Sequence, residues 1–288
     1  MLRRKLYRLK LPTRTLTLGE RTLVMGVLNI TPDSFSDGGK FLTVKKAVEA
    51  ARAMERAGAD ILDIGAESTR PGSLGISAAE ELARLLPVLE ALRGGLKIPI
   101  SIDTQKSAVA EIAIGAGAEI INDVSGLKHD ERLANVAARH KVPLILMHMR
   151  GTPRTMQKQP FAKNVLRDVV TGLDRSLAIA RRAGVPKSQI ILDPGIGFGK
   201  SYDQNYELLA KLPKLAEIGY PLLVGTSRKG FLGSALAQKG KPAPSDQRIW
   251  GTAATVTASI LFGAHIVRVH DVAEMVQVAR VADAVLAG

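Results

Sequence analysis

Apolar runs of strand length alternate with helical patterns along most of the chain. Strands are predicted at residues 22–28, 60–65, 98–103, 119–124, 142–148, 189–193, 220–226 and 265–270. Helices are predicted at about residues 43–57, 78–93, 105–116, 131–140, 163–183, 203–218, 246–262 and 271–286. Almost wholly apolar strands, each followed by a helix, indicate a parallel sheet buried on both faces. Because eight such units suit 288 residues, we predict an α/β protein with the closed (β/α)8 fold, the TIM barrel.

Signals at the segment ends refine this pattern. A β-hairpin is predicted at residues 5–20, ahead of the first barrel strand. Ser77–Glu80 and Asp271–Glu274 match capping boxes, and Ser245-Asp246 predicts another helix start. No linker rich in glycine, proline or serine interrupts the chain, so residues 1–288 are predicted to form a single barrel domain.

The composition narrows the class of protein. Cysteine is absent, which excludes disulfides, thiolate nucleophiles and cysteine metal sites and fits a reducing cytoplasm. The basic start lacks the apolar stretch of a signal peptide. The most apolar segment, residues 251–269, is broken by polar side chains and predicts no membrane span. We therefore predict a cytoplasmic protein with no membrane partner.

The net charge of +13 favours anionic partners, either phosphorylated metabolites or nucleic acid. Part of this charge is local, because residues 1–20 form a basic segment that coincides with the predicted hairpin. Aromatic residues make up only 4% of the chain, which leaves little to stack on single-stranded bases. We interpret the basic segment as a solvated face and predict no nucleic-acid partner.

Polar motifs follow the predicted strands at their carboxyl ends. The longest, Asn29 to Gly39, arranges carboxylates, hydroxyls and an amide around Phe35. The others are Glu67–Gly72, Asp103-Thr104, Asn122-Asp123, His148–Arg150, Asp193–Gly199, Thr226–Gly230 and Arg268–Asp271. Any one of them has a structural alternative, since Asp and Asn commonly cap helices and a strand-end His is often a core residue. Together they would meet at one mouth of a barrel, which predicts an active site there.

The residue types in these motifs indicate two kinds of ligand. One set combines carboxylates, an amide and a cation, which suits the donor and acceptor edge of a flat heterocycle. Its members are Asp103, Asn122, Asp193 and Lys229. The second set suits a phosphate group, with an amide oxygen and a hydroxyl that can help to hold Mg²⁺. Its members are Asn29, Thr69, Arg268 and His270.

Seven motifs together resemble those of a known family. They are Asn29-Ile-Thr-Pro-Asp-Ser-Phe-Ser-Asp-Gly-Gly39, Asp63-Ile-Gly-Ala-Glu-Ser-Thr-Arg-Pro-Gly72, Ile102–Thr104, Ile121–Asp123, Asp193–Phe198, Ser227–Lys229 and Arg268–Asp271. Over about residues 20–275 the chain resembles the dihydropteroate synthases, the sulfonamide-target family of folate synthesis. The resemblance implies a pterin-binding barrel that joins 6-hydroxymethyl-7,8-dihydropterin diphosphate to p-aminobenzoate and releases pyrophosphate.

The resemblance also implies roles for individual residues. Asp103, Asn122, Asp193 and Lys229 would hold the pterin, and Met147 would form a wall of its pocket. Arg268, His270, Asn29 and Thr69 would hold the diphosphate, with Arg70 as a further substrate-binding residue and Mg²⁺ on Asn29. Phe35, Pro71 and Phe198 would enclose the benzoate ring. The residues implied as catalytic are Asp103, Lys229, Arg268 and His270, and the implied assembly is a homodimer.

One position departs from the family pattern. Some members have a hydroxyl residue directly after the lysine, where this chain has Gly230. A backbone N–H of Gly230 at a helix start would then replace the side-chain contact to the benzoate carboxylate.

The implied chemistry requires no strong general base, because an aniline nitrogen is already nucleophilic. The groups that require stabilisation are the leaving diphosphate and a cation-like pterin methylene, which the amine captures. One alternative enzyme is a methyltetrahydrofolate-corrinoid methyltransferase, which has no need for a diphosphate cluster. A second alternative is an inactive paralogue, and a third is a basic nucleic-acid-binding protein on a degenerate barrel.

Overall fold

The computed structural model describes residues 4–30, 39–70, 72–158 and 161–288. The strands are β1 (Tyr7–Lys10), β2 (Thr15–Leu18), β3 (Leu23–Asn29), β4 (Ile61–Gly65), β5 (Ile100–Asp103), β6 (Ile120–Asp123), β7 (Leu144–Met147), β8 (Ile190–Asp193), β9 (Leu223–Val224) and β10 (Ile266–Val269). The helices are α1 (Gly39–Arg56), α2 (Ala78–Leu92), α3 (Ser107–Gly115), α4 (Arg132–His140), α5 (Val165–Arg182), α6 (Tyr202–Ala210), α7 (Leu212–Ala216), α8 (Gly230–Ala235), α9 (Ile249–Leu261) and α10 (Val272–Ala287).

Strands β3 to β10 form one parallel sheet in the order β8-β7-β6-β5-β4-β3-β10-β9. A parallel bridge between Leu192 in β8 and Leu222 just before β9 joins the two edges of this sheet. There the Leu192 N–H donates to the Pro221 carbonyl at 3.0 Å. The sheet is therefore closed, which confirms the predicted (β/α)8 barrel and brings the carboxyl ends of all eight strands to one mouth.

The predicted hairpin is also confirmed, and it covers the end of the barrel opposite the mouth. Strands β1 and β2 pair antiparallel, and their Leu9 and Leu18 side chains are buried. These leucines share a cluster with interior residues of the barrel, namely Leu23, Met25, Ile61, Ile120, Ile145, Ile191, Leu223 and Ile266. Full burial of a leucine or isoleucine contributes about 1.5–3 kcal/mol, so this cluster is a stabilising plug.

Other strand residues face outward and pack on the helices. In β6, for example, Ile120 belongs to the interior plug, whereas Ile121 lies in the large cluster formed with the surrounding helices. This arrangement follows from the two-residue period of a strand, which turns successive side chains to opposite faces of the sheet. Both faces are apolar, which explains why the strands appear in the sequence as continuous apolar runs.

The structure corrects several predicted helix boundaries. The single helix predicted at residues 203–218 is divided into α6 and α7, with Pro213 in the first turn of α7. Proline suits a first turn because its missing N–H has no intrahelical partner there. Helix α8 was not predicted, and Ser245-Asp246 begins a short 3-10 helix, Ser245–Gln247, ahead of α9.

The two predicted capping boxes have different outcomes. The Ser77 side chain accepts the Glu80 N–H at 3.1 Å, which confirms the first helix start. Asp271 makes no such cap, because its carboxylate is bound by the Arg228 guanidinium, with 3.0 Å from Nε to Oδ2. A carboxylate paired with an arginine side chain gains a charge-assisted bond that replaces the cap.

The basic N-terminal segment is only partly a solvated face. Lys5, Arg8 and Lys10 are exposed, as predicted. The Arg4 side chain, however, is 5% exposed and forms an ion pair with Asp283 at 2.5 Å. Because Asp283 also accepts the Thr22 N–H at 2.7 Å, Arg4 takes part in fastening the start of the barrel to α10.

Within the described ranges of the chain, no helix is both long and apolar enough to cross a membrane.

Candidate active site

Polar side chains line the barrel interior next to the mouth. They come from positions two residues beyond the apolar plug: Asp63 follows Ile61, Asn122 follows Ile120, Asp193 follows Ile191 and Arg268 follows Ile266. Residues two apart in a strand point to the same face, so the same interior changes from apolar to polar within one step. Asp63 is fully buried, and Asn122 and Asp193 are 2% and 6% exposed.

The centre of this polar layer is the Arg268 guanidinium. Its Nε donates to Asp63 Oδ2 at 2.7 Å, and its Nη2 donates to Asp103 Oδ2 at 2.8 Å. The Asn122 amide also donates to Asp63 Oδ2, at 3.0 Å. One cation therefore holds two buried carboxylates together, and the amide completes a network that joins β4, β5, β6 and β10.

Asp63 is the functional candidate that the sequence reasoning missed as a site residue. It lies in the middle of β4. The sequence pattern placed it in a predicted buried strand and at the start of the motif that runs to Gly72, without a binding role. The available signal was the carboxylate itself, since an aspartate in an otherwise apolar strand is rarely buried without a partner. Its Oδ1 has no hydrogen-bond partner within the described part of the chain.

Burial shifts the acidity of the carboxylates at the mouth. The pKa of Asp103 is raised to about 7, chiefly by desolvation and also by Asp63, although Arg268 opposes the shift. Desolvation likewise raises the pKa of Asp193, which Lys229 partly offsets. Asp193 remains an acceptor in the structure, because its Oδ1 takes the Gly195 N–H at 2.6 Å. Raised pKa values in a cleft are characteristic of functional sites.

Lys229 lies at the start of α8, the next element after β9, whose neighbours β8 and β10 carry Asp193 and Arg268. Its Nζ donates to the Ile196 carbonyl and stands 4.6 Å from the centre of the Phe198 ring. Burial lowers the pKa of Lys229 to about 8, although Asp193 favours the charged form. The ammonium over an aromatic face gains a cation–π interaction, which places Phe198 and Lys229 in one wall.

His270 is oriented by Ser227. The Ser227 Oγ accepts the His270 backbone N–H at 3.1 Å and lies 3.0 Å from His270 Nδ1. Burial lowers the pKa of His270 to about 4, and nearby Arg268 adds to this effect. The imidazole is therefore neutral at pH 7, and Nδ1 is left to accept the serine hydroxyl proton.

The remaining predicted residues have different degrees of exposure. Asn29, at the end of β3, and Thr69 are half-buried, and Arg70 is exposed. Met147 is buried in a small cluster with Phe198. Gly230 is exposed as the first residue of α8. Phe35 and Pro71, the two predicted residues of the benzoate pocket, lie outside the described residues.

Lys200 is a second residue that the pattern missed, because the glycine-rich motif was ended at Gly199. The Lys200 side chain is buried, and its Nζ donates to the carbonyls of His148, Gly195 and Phe198 at 3.2, 2.8 and 3.0 Å. Desolvation lowers the pKa of Lys200 to about 7, although Asp193 opposes the shift. Lys200 thereby ties the loop after β8 to the end of β7 and supports the wall formed by Phe198.

The arrangement of buried carboxylates, an amide and cations around one barrel mouth is that of a site for a polar, flat ligand. The profile of the pterin binding enzymes matches residues 25–270, which contain all of these groups. The chain belongs to the pterin binding enzyme family. Among the proteins of this family, the dihydropteroate synthase of Synechocystis is 50% identical over 266 residues, which cover 92% of this chain and 91% of that protein.

Other pterin binding enzymes agree with this assignment. The dihydropteroate synthase of Escherichia coli is 44% identical over 91% of this chain and 91% of its own length. The solved structure of Xanthomonas albilineans dihydropteroate synthase with 4-aminobenzoic acid has a TM-score of 0.90 and 41% identity, covering 99% of this chain and 100% of that chain. A structure of the same enzyme with 7,8-dihydropteroate has a TM-score of 0.86 and 40% identity, over 98% and 99% of the two chains.

Proposed function

We propose that this pterin binding enzyme is a dihydropteroate synthase. It would transfer the pterinylmethyl group of 6-hydroxymethyl-7,8-dihydropterin diphosphate to p-aminobenzoate, giving 7,8-dihydropteroate and pyrophosphate. The observation that carries this proposal is the buried polar layer at the barrel mouth, in which Arg268 bridges Asp63 and Asp103. The family match and the relatives named dihydropteroate synthase support the same reaction.

The pterin ring would lie against the buried carboxylates. Asp193 would accept two N–H groups of the aminopyrimidine ring, Asn122 would contribute its amide, and Asp103 would face the ring nitrogens. Lys229 would donate to a ring acceptor and Met147 would form an apolar wall. The low exposure of Asn122, Met147 and Asp193 supports this assignment, because charge-assisted bonds are strongest where water is excluded.

The diphosphate would lie at the outer edge of the same layer. Arg268 and His270 would donate to its oxygens, together with Thr69 and the exposed Arg70. The Arg268 Nη1 group makes no hydrogen bond to the described residues, and it is therefore the group that we assign to the phosphate oxygens. His270 would use Nε2, since Ser227 occupies its Nδ1.

The donor chemistry of Asn29 fits the Mg²⁺ that the family implies. One neutral amide oxygen suits an ion that keeps most of its waters and takes substrate phosphate oxygens. No group of three or more histidine or acidic side chains arranged for a metal occurs in the described parts of the chain. When bound, Mg²⁺ would neutralise charge on the diphosphate.

Bond breaking would precede bond formation. The methylene carbon–oxygen bond breaks with its electron pair moving to the diphosphate, and the aniline nitrogen then donates its lone pair to the cation-like methylene. The amine proton is lost to water after attack. Arg268 and His270 would stabilise the departing charge, and the Asp103 carboxylate would stabilise the positive methylene.

The benzoate would bind beside Phe198, with Phe35 and Pro71 completing its pocket. Gly230 lacks the hydroxyl that some family members have after the lysine, and Tyr202 offers a replacement. The Tyr202 hydroxyl oxygen lies 3.4 Å from where a side-chain carbon on Gly230 would stand. We expect Tyr202→Phe to raise the KM for p-aminobenzoate about 10-fold to 150-fold, because one hydrogen bond to a carboxylate is worth about 1.5–3 kcal/mol. An unchanged KM would assign this role to the Gly230 N–H alone.

The assembly would be a homodimer, and the apolar surface of α9 and α10 is the face that supports it. Val281 and Val285 on α10 are 66% and 52% exposed, and Trp250 on α9 is 79% exposed. Exposed apolar patches of this kind mark interaction surfaces. Analytical ultracentrifugation of the parent and of Val281→Lys tests the assignment. A parent that sediments as a monomer, as the variant does, would reject it. One barrel domain over residues 1–288, acting in the cytoplasm, stays our prediction.

A direct assay tests the proposed function. The purified protein is incubated with the pterin diphosphate, p-aminobenzoate and Mg²⁺, and 7,8-dihydropteroate is measured by liquid chromatography and mass spectrometry. We expect product from the parent and from Lys211→Met, a control with an exposed ion pair to Glu207. Asp193→Asn should lose pterin affinity by about 2–4 kcal/mol in calorimetry, because an amide presents a donor where an acceptor is needed.

Two outcomes would reject the proposal. If the parent protein binds the pterin but yields no dihydropteroate, the proposed synthase activity is rejected. Methyl transfer from methyltetrahydrofolate to a corrinoid would establish the methyltransferase alternative instead.

A further inference from the structure

Lys106 links two loops of the mouth without belonging to the polar layer itself. It follows β5 three positions after Asp103 and stands immediately before α3. Its Nζ donates to Glu67 Oε2 and to Glu81 Oε2, at 2.6 Å in both cases. Glu67 lies in the loop after β4, and Glu81 lies on α2, so one ammonium joins three successive parts of the barrel.

Glu67 at the same time closes the loop in which it lies. Its second oxygen, Oε1, accepts the Ile76 N–H at 3.1 Å, and these two residues bound the segment 67–76, of which residues 67–70 and 72–76 are described. Inside the segment, the Ser73 hydroxyl donates to the Ser68 carbonyl at 2.6 Å. The Glu67 carboxylate therefore connects the two ends of the segment through Oε1. Its other oxygen, Oε2, is bound to Lys106.

The cluster depends on Lys106 because it contains two carboxylates and one cation. Glu81 is fully buried and its Oε1 has no hydrogen-bond partner within the described ranges, while Glu67 and Lys106 side chains are 12% and 15% exposed. Burial opposes the charged form of Lys106, but the hydrogen bonds that its ammonium donates to Glu67 and Glu81 outweigh this effect and raise the pKa overall. Removing the ammonium would leave two neighbouring negative charges with little access to water.

We propose that Lys106 is a positioning residue, which fixes the segment 67–76 relative to Asp103 and so aligns Thr69 and Arg70 with the substrate. This inference rests on the proposed synthase function, because it assigns Thr69 and Arg70 to the diphosphate. A second contact, from the Gly72 N–H to the Pro153 carbonyl at 3.0 Å, holds the far side of the segment. Lys106 therefore controls the base of the segment and its distance from the Asp103 side of the mouth.

Kinetics of matched variants test the positioning role. We expect Lys106→Met and Glu67→Gln to lower kcat/KM about 10-fold to 100-fold, because small misplacements of binding groups cost rate steeply. Affinity for 6-hydroxymethyl-7,8-dihydropterin, which carries no diphosphate, should stay within about twofold of the parent, since its contacts lie in the polar layer. Lys106→Arg should recover most of the rate, because a guanidinium can bind both carboxylates. Lys211→Met controls for loss of a lysine from an exposed ion pair.

Hydrogen exchange gives a readout that does not require catalysis. In Lys106→Met, and more mildly in Glu67→Gln, amides of residues 67–70 and 72–76 should exchange faster, while amides of residues 195–200 keep the parent rate. Faster exchange in an otherwise folded variant supports the anchor even if the parent makes no dihydropteroate, in which case only the proposed function fails. Unchanged exchange, or equal losses of rate and of pterin affinity, would overturn the positioning role.

Discussion

The two halves of the barrel interior are built by the same strands and have opposite characters. Toward the amino end, Ile61, Ile120 and Ile266 pack with the hairpin in an apolar plug. Two residues further along, Asp63, Asn122 and Arg268 form the polar network of the mouth. Because a strand returns to the same face after two residues, a single step converts a stabilising core into a binding surface.

The apolar half of the interior stabilises the barrel, whereas the polar half lowers its stability. The plug side chains are almost completely removed from water and have no nitrogen or oxygen atoms. The polar layer holds charges with little water access, and it leaves Asp63 Oδ1 and Ser101 Oγ without partners within the described chain. Unpaired buried polar atoms are costly, and they are characteristic of sites that are arranged to receive a ligand.

The largest effect is expected from Arg268→Ala, at the centre of the polar layer. Two buried carboxylates would lose their common cation, which should reduce the free energy of unfolding by about 3–5 kcal/mol. Loss of leaving-group stabilisation should also depress kcat/KM by about 10²-fold or more. Adding Asp63→Asn should recover stability in urea titrations without recovering the rate. A single variant with parent stability and rate would show that the network has no such role.

Ile120→Ala tests the apolar half. We expect it to reduce the free energy of unfolding by about 2–5 kcal/mol, because it leaves a cavity in the plug. The rate per folded molecule should change less than about twofold, since Ile120 does not reach the mouth. Urea unfolding and steady-state kinetics on the same preparation measure both. A rate loss as large as the stability loss would mean that the two halves do not act independently.

The pH dependence of the stability tests the polar half of the interior through Asp103. Asp103, with its pKa raised to about 7, binds a proton in the folded state where the unfolded chain has lost it. Its contribution to stability is therefore fully present below about pH 4 and is lost as the pH rises to about 7. His270 and His265, with pKa values lowered to about 4, act in the opposite direction. The measured quantity is therefore the difference between the parent and Asp103→Asn.

We expect the stability of the parent to fall relative to that of Asp103→Asn between about pH 4 and 7. Above pH 7.5 the difference between the two proteins should stay constant. Thermal unfolding across this range checks the sign. A difference that grows in favour of the parent as the pH rises would mean that Asp103 is ionised below pH 4 in the folded protein.

The smallest effects are expected at the hairpin end of the barrel, where a buried arginine, Arg4, can be compared with an exposed one, Arg8. Arg4→Gln removes a buried ion pair to Asp283 and should cost about 1–3 kcal/mol of stability. Arg8→Gln alters an exposed side chain and should stay within about 0.5 kcal/mol of the parent. Both should keep the parent turnover. Equal melting temperatures for the two variants would contradict the anchoring role of Arg4.

The features that sequence patterns determine here are local or follow from topology. Each barrel strand was predicted within a few residues, because apolar runs and intervening helical periods are properties of short segments. The gathering of Asp103, Asn122, Asp193, Lys229 and Arg268 at one mouth followed from the parallel connectivity, which brings all carboxyl ends together. The errors are also local: the division at Pro213 and the uncapped Asp271 depend on neighbours that the pattern does not contain.

The sequence alone thus determined the barrel, its mouth and the residue types that line it. Only the tertiary structure decided that Arg268 pairs with Asp63 and Asp103, that Lys106 joins Glu67 to Glu81, and that Lys200 is buried under the Phe198 wall. These partners are separated by up to 205 positions in the chain. Their pairing depends on which strands are neighbours and on which face each side chain occupies, and both are fixed by closure of the sheet and packing of the plug.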